Sequence, residues 1–150
     1  MVLQFTFVPG LILFLLAHLM YLAAFFITPG KNTIFTLRVW LLIPVLLYGV
    51  GLCWYLYGDL GDMRLPVIVY AAVILLMLTG ALNRFEKVNR NSYRLVVAGA
   101  ALFVLSDSAI AVNRFTWNFN YSGLVIMSTY IAAQYLITIG FIRQFTDRTR

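Results

Sequence analysis

The sequence predicts an all-α, polytopic membrane helical bundle, and three observations carry that expectation. Of the 150 residues, 63% are hydrophobic and only 11% charged, with a mean hydropathy of +0.91. A soluble domain of this size has too little interior to hide that much apolar surface. The apolar residues fall in runs of about 20, the length a helix needs to cross hydrocarbon. Strict period-two alternation is absent, which selects helices over a barrel. The formal charge of +6 would suggest nucleic acid in a soluble protein. Here the basic residues lie between apolar runs, so membrane orientation is the simpler explanation and no nucleic-acid partner is expected. The lone cysteine, Cys53, lies inside an apolar run and reads as a small buried apolar residue. The N-terminus lacks a basic region and a cleavage site, so no signal peptide is read. A single domain is expected, without repeats or low-complexity segments.

Five spans follow in order. The first, about 10–28, stops before Pro29-Gly30, a strong helix terminator. The second, about 36–57, contains Pro44, a kink that membrane helices tolerate when neighbours satisfy the freed carbonyl. The third, about 66–83, begins on Pro66, well placed in a first helical turn. The fourth, about 95–114, carries Asp107. The fifth runs over about 119–142. The connections are short and polar, as in a compact bundle.

Lysine and arginine set the orientation. Lys31, Arg38, Arg84, Lys87, Arg90, Arg94, Arg143, Arg148 and Arg150 fall on one side, and Arg64 and Arg114 on the other. Nine against two places the C-terminus in the cytoplasm and the N-terminus outside, in the inner membrane if the source is bacterial. An outside N-terminus without a signal peptide is unusual. One explanation is that an odd number of upstream helices is missing from this chain.

Asp107 is the first candidate for chemistry. A carboxylate in hydrocarbon costs roughly 2.5 to 3.5 kcal/mol on insertion scales, so it normally faces a polar cavity and marks function. Ser106 and Ser108 flank it, and Arg114 closes the segment at the interface. The structural alternative is a hydrogen bond that joins two helices. His18, the only histidine, shares a helical face with Phe14 and Tyr21. Tyr130 and Gln134, four residues apart, share a face of the last span, with Ser128, Thr129 and Thr138 nearby. Interhelical hydrogen bonding is again the structural alternative. At about 1.5 Å of rise per residue, His18 lies roughly 12 Å from the outer end of its span and Asp107 roughly 10 to 12 Å from its own. Tyr21 and Tyr130 come out near 16 Å, roughly, and Gln134 at about 22 Å. Four of these groups can therefore meet at one level of the bilayer.

Other polar residues carry less. Asp59 and Asp62, in YGDLGDMRLP, lack a third ligand and read as a solvated turn. Glu86 and Asp147 read as solvated charges, and Trp40, Trp54 and Trp117 as interfacial anchors. The basic stretch RFEKVNRNSYR suits anionic head groups, although topology alone accounts for it. No phosphate-cradling loop, metal-ligand spacing or serine–histidine–aspartate pattern is present, so neither metal nor cofactor is expected.

Taken together, these stretches resemble the YhhN-like lysoplasmalogenase family of membrane proteins. GAALFVLSDSAIAVNRF around Asp107 looks like its signature, and LFLLAHLMYLAAF around His18 and Tyr21 resembles its His-x-x-Tyr segment. RLPVIVY at 64–70 and IMSTYIAAQYLI at 126–137 match further blocks in the same order. The resemblance covers nearly the whole chain. It implies an eight-helix protein with both termini cytoplasmic, which hydrolyses the vinyl ether of lysoplasmalogens to a fatty aldehyde and a glycerophospho-base. Its substrate partner would be a lysophospholipid drawn from bilayer lipid. Asp107 falls on a family acidic position. The family also carries an earlier Gly-Asp in an apolar helix upstream of the His segment, which this sequence lacks; the pairs at 58–59 and 61–62 follow His18 and sit in a connector. Three further helices would make eight, an odd number upstream.

The implied chemistry suits two carboxyl groups. Proton delivery to the alkene carbon gives an oxocarbenium ion, water adds, and the hemiacetal collapses to aldehyde and alcohol. A buried carboxylic acid can donate the proton while an ionised partner stabilises the cation and activates water. By this reading Asp107 is catalytic, and His18, Tyr21, Ser106, Tyr130 and Gln134 orient water or substrate. With one carboxylate absent, this chain alone is expected to be inactive or nearly so. The competing readings are a small transporter or proton relay using Asp107 and His18, a non-catalytic membrane scaffold, and a relative acting on a different ether or lysolipid. The sequence leaves the oligomeric state open.

Overall fold

Side-chain periodicity, more than hydropathy, decides how the helices turn toward one another. In the computed structural model, which describes residues 2–30 and 39–146, five α-helices account for the architecture. They are α1 (Val2–Ile27), α2 (Leu42–Leu56), α3 (Arg64–Leu82), α4 (Arg90–Phe115) and α5 (Ser122–Thr146). Short 3₁₀ turns, Val39–Leu41 and Gly61–Met63, lead into α2 and α3. Four stretches are helical, apolar and long enough to cross a membrane: Val39–Leu56, Gly61–Leu82, Arg90–Phe115 and Ser122–Thr146. The apolar helical stretch Ile12–Ile27 is shorter. The chain is thus an all-α, integral multi-pass membrane bundle. Its large exposed side chains, among them Leu13, Met20, Leu47, Trp54 and Leu124, suit a surface solvated by lipid tails.

α4 is the centre. Its buried residues Ser92, Val96, Gly99, Ala100, Phe103, Val104, Ser106 and Asp107 recur at spacings of three or four, one continuous stripe along the helix. Asp107 occupies the position on that stripe where the period calls for another core residue. α5 meets it with Ala133, Ile137, Gly140 and Gln144 at the same spacing. This seam is close because both helices present glycine. A Cβ on Gly99 would stand 2.8 Å from the Ala133 carbonyl oxygen, and one on Gly140 would stand 2.6 Å from Val96 Cγ2. Small residues bring backbones together in membranes, where dispersion has to do what the hydrophobic effect does in water. α3 contributes Ile74, Met77 and Ala81 to the core, and α1 contributes Phe25.

Helix ends follow local chemistry. The apolar span expected from about Leu95 is part of a longer helix, because Asn89 caps it: its Oδ1 accepts from the Ser92 N–H at 2.6 Å, and α4 starts at Arg90. α5 begins at Ser122, after Tyr121 takes a left-handed φ of 63°. Pro44 sits in the first turn of α2, directly after the 3₁₀ turn, where a missing N–H breaks no helical bond. The expected start of the second span, and Lys31, Arg38, Asp147, Arg148 and Arg150, lie outside the described residues.

Arg84, counted from the sequence only among the charges of one membrane face, has a more specific place. It is fully buried at the α3 end of the bundle. Its Nη2 donates to Gln144 Oε1 at 2.6 Å and to Ser92 Oγ at 3.4 Å. The guanidinium also lies over Phe141, 4.2 Å from the ring centroid. Burial pulls its pKa down to about 10, so it remains charged at neutral pH. One cation thereby ties α3, α4 and α5 at a single end.

Candidate active site

Four helices converge on Asp107. Phe14, His18, Tyr21 and Phe25 succeed one another at helical spacing on α1, and His18 and Phe25 are buried. The same period on α3 runs through Val67, Tyr70 and Ile74. α4 supplies Asp107 itself, 6% exposed.

The carboxylate has two unlike oxygens. Oδ2 accepts a hydrogen bond from the Tyr70 hydroxyl at 2.7 Å and lies 3.3 Å from His18 Nε2. Oδ1 is buried with no hydrogen-bond partner among the described residues. His18 Nδ1 is 2.6 Å from the Phe14 carbonyl oxygen. A carbonyl only accepts, so Nδ1 carries hydrogen and Nε2 is the nitrogen turned to Asp107. The Nε2–Oδ2 contact is close enough for an ion pair but is not aligned as a hydrogen bond. His18 and Asp107 therefore form a buried pair held 3.3 Å apart with no hydrogen bond between them.

A cavity of about 40 Å³ adjoins the carboxylate, lined by Asp107, Tyr70, Ser108 and Tyr48 among apolar side chains from α2 and α3. That is room for about one water molecule. Ser108 Oγ donates to the Val104 carbonyl at 2.6 Å and accepts from the Tyr48 hydroxyl at 2.8 Å, so α2 is tied to α4 beside the site.

The residues expected at one level form two clusters. Tyr21 donates its hydroxyl to Gln134 Oε1, and Gln134 Nε2 donates to the Tyr130 hydroxyl at 3.2 Å. Phe103 stands between the clusters, edge-on to His18 at 5.0 Å and to Tyr130 at 5.4 Å between ring centroids. His18 joins Asp107; Tyr21, Tyr130 and Gln134 join each other across the α1–α5 contact. Ser106 lies in neither cluster. Fully buried, it donates to the Ile126 carbonyl of α5 at 3.1 Å. Tyr70 was not singled out from the sequence, although it ends the block RLPVIVY and sits at helical spacing between Val67 and Ile74. Among the described residues no three or more of His, Cys, Asp and Glu cluster as metal ligands do, and Asp59 and Asp62 are exposed.

Comparison with known proteins agrees with the pattern of residues. The model of the YhhN family matches residues 1–141. Human lysoplasmalogenase TMEM86B is 35% identical over 144 residues, which cover 96% of this chain and 58% of the human protein. Bovine lysoplasmalogenase TMEM86A is 36% identical over 148 residues, 91% of this chain and 56% of its own. A lysoplasmalogenase of Mycobacterium bovis is 31% identical over 139 residues, 91% of this chain and 51% of its own. The chain thus spans little more than half the length of these relatives. No solved structure matches it. A family match over almost the whole chain, with relatives from mammals and mycobacteria above 30% identity, means that this chain belongs to the YhhN family.

Proposed function

We propose that this chain carries the proton-donating side of a lysoplasmalogenase active site, with Asp107 as the acid. The observation that carries the reading is the buried carboxyl whose Oδ2 accepts from Tyr70, with His18 Nε2 3.3 Å away, while Oδ1 has no partner among the described residues. A group fixed through one oxygen presents the other in a constant direction, which general acid catalysis requires. Protonated, Asp107 gives its hydrogen from Oδ1 to the alkene carbon farther from the ether oxygen. The remaining carbon–oxygen unit becomes an oxocarbenium ion, which the new carboxylate stabilises. Water then adds to that ion. His18 Nε2 takes up the proton the water releases, and the hemiacetal separates into fatty aldehyde and glycerophospho-base. One water is consumed and the carboxyl is regenerated from the imidazolium. The names of the relatives support the same substrate class.

Among the described residues Asp107 is the only acidic residue inside the helices, so the second carboxylate of the paired mechanism is not beside it. Slow turnover by this chain alone follows. Fusing ahead of it the Gly-Asp-bearing helices that the family resemblance implies is expected to raise aldehyde release from lysoplasmenylcholine by about 10²-fold. Rapid turnover by the 150-residue chain alone would show that the Asp107–His18 pair suffices and would end the two-carboxylate version. Tyr70→Phe in the fused chain is expected to lower kcat about tenfold with little change in KM, since it loosens Asp107 without touching the lipid. An unchanged kcat would remove Tyr70 from the mechanism.

A proton relay is the second reading, favoured by the same buried His18–Asp107 pair. Proton flux into liposomes under a pH gradient, without aldehyde, would select it. The unequal lysine and arginine distribution supports a cytoplasmic C-terminus. A phosphatase reporter fused after Arg150 should be silent, and activity from it would reverse the orientation.

A further inference from the structure

We infer that the groove between α2 and α3 seats one lysophospholipid molecule, with Arg64 holding its phosphate and the inner end of the groove taking its hydrocarbon tail. This rests on the hydrolase reading of Asp107 and adds where the substrate lies. The groove has a volume of about 670 Å³, within the range of small-ligand sites. Its walls are almost wholly apolar, from Leu46, Val50 and Trp54 on α2 to Ile68 and Ala72 on α3. It opens on the lipid side and adjoins the Asp107 cavity, with Gly49, Cys53, Ala71 and Leu75 lining both. Leu75 packs against Gly49 where the two meet.

One end of the groove is marked by charge. Tyr57 forms its wall there, and the Arg64 guanidinium lies over that ring, 4.5 Å from the centroid. Arg64 is exposed, and its planar fork stacks on Tyr57 beside that end of the groove. Arg64 and Tyr70 are on the same helix, and Tyr70 touches Asp107. Six residues of rise separate them, about 9 Å. In an extended lysoplasmalogen, the alkene carbon that receives the proton is about 8 Å from phosphorus by ordinary bond lengths. A phosphate on Arg64 therefore sets the vinyl ether at about the level of Asp107 along α3. The tail continues along the groove toward Leu75 and Leu46, its inner apolar end. Head group and tail meet a cation and an apolar trough in the same order along α3.

Cys53, the only cysteine of the chain, lines the groove and reports on its occupancy. The experiment follows N-ethylmaleimide alkylation of Cys53 on the whole chain in dodecyl maltoside micelles. Two probes are added in turn: 1-O-hexadecyl-lysophosphatidylcholine, whose saturated ether cannot be cleaved by this chemistry, and 1-O-hexadecylglycerol, which lacks the phosphate. At ten times its half-protecting concentration the phospholipid should slow alkylation about tenfold, as the free fraction falls. Arg64→Gln should raise that half-protecting concentration about tenfold, leave the glycerol ether unaffected, and be largely rescued by Arg64→Lys. No protection by either probe overturns the groove. Equal protection of wild type and Arg64→Gln overturns the phosphate anchor. The hydrolase reading is separable, because the probe is inert. Protection without aldehyde release by the fused chain keeps the lipid site and removes the hydrolase; Asp107-dependent release without protection keeps the hydrolase and removes this groove.

Discussion

Asp107→Asn is expected to lower aldehyde release from lysoplasmenylcholine by a factor of about 10² to 10⁴ in the fused chain, with binding little changed. The amide has nearly the carboxyl's shape and its oxygen can still accept from Tyr70, so packing around position 107 persists. What is lost is an acidic hydrogen on Oδ1 and the negative charge that follows its departure. His18 then faces a neutral group, so the proton released by attacking water loses its nearby counter-charge. The measurement is kcat for fatty aldehyde formation, with thermal unfolding in detergent recorded on the same samples. Normal turnover would remove Asp107 from catalysis. A lowered melting temperature with neither turnover nor flux altered would leave it as structural glue between helices.

Gly99→Leu is expected to open the α4–α5 seam and cost about 3 kcal/mol or more. The added Cβ alone would stand 2.8 Å from the Ala133 carbonyl oxygen and 2.7 Å from Ile137 Cγ1. Backbone cannot rotate aside as a side-chain tip can, so the helices must separate. Separation would strip contacts from Ala100, Ala133 and Ile137 and draw Ser106 from the Ile126 carbonyl. Unfolding by titrated sodium dodecyl sulfate should show the loss, with Gly51→Ala as comparator, because nothing lies within 4 Å of a Cβ built there. Equal stability of the two variants would mean that the seam is looser than its geometry.

Particular residues show how far a linear reading reaches. Asp107 stood out as a candidate because ionisable groups in hydrocarbon are rare, and His18 because it is alone and deep. Their nearness rested on matching depths alone, since rise per residue fixes depth and leaves rotation free. Rotation is what divided the polar residues: Phe103 stands between His18 and Tyr130, leaving Tyr21, Tyr130 and Gln134 to bond one another. Ser106, beside Asp107 in sequence, points its hydroxyl into the α5 seam because adjacent helical positions turn by about 100°. Arg84 was counted only as a charge at one membrane face, and its burial beneath Phe141 and Gln144 could not be seen along the chain.

The sequence by itself determined the class of molecule, an all-α membrane bundle, and the depth at which a carboxyl group enters it. Both follow from quantities local to the chain: the apolar length that spans hydrocarbon and the helical period. Only the tertiary structure decided that Tyr70 holds one oxygen of Asp107 with His18 beside it, and that a lipid-facing groove adjoins the cavity at the same carboxyl. Those facts depend on which faces of α1, α2, α3 and α4 meet. Packing among residues far apart in sequence, such as Gly49 against Leu75 and Gly99 against Ala133, sets that choice.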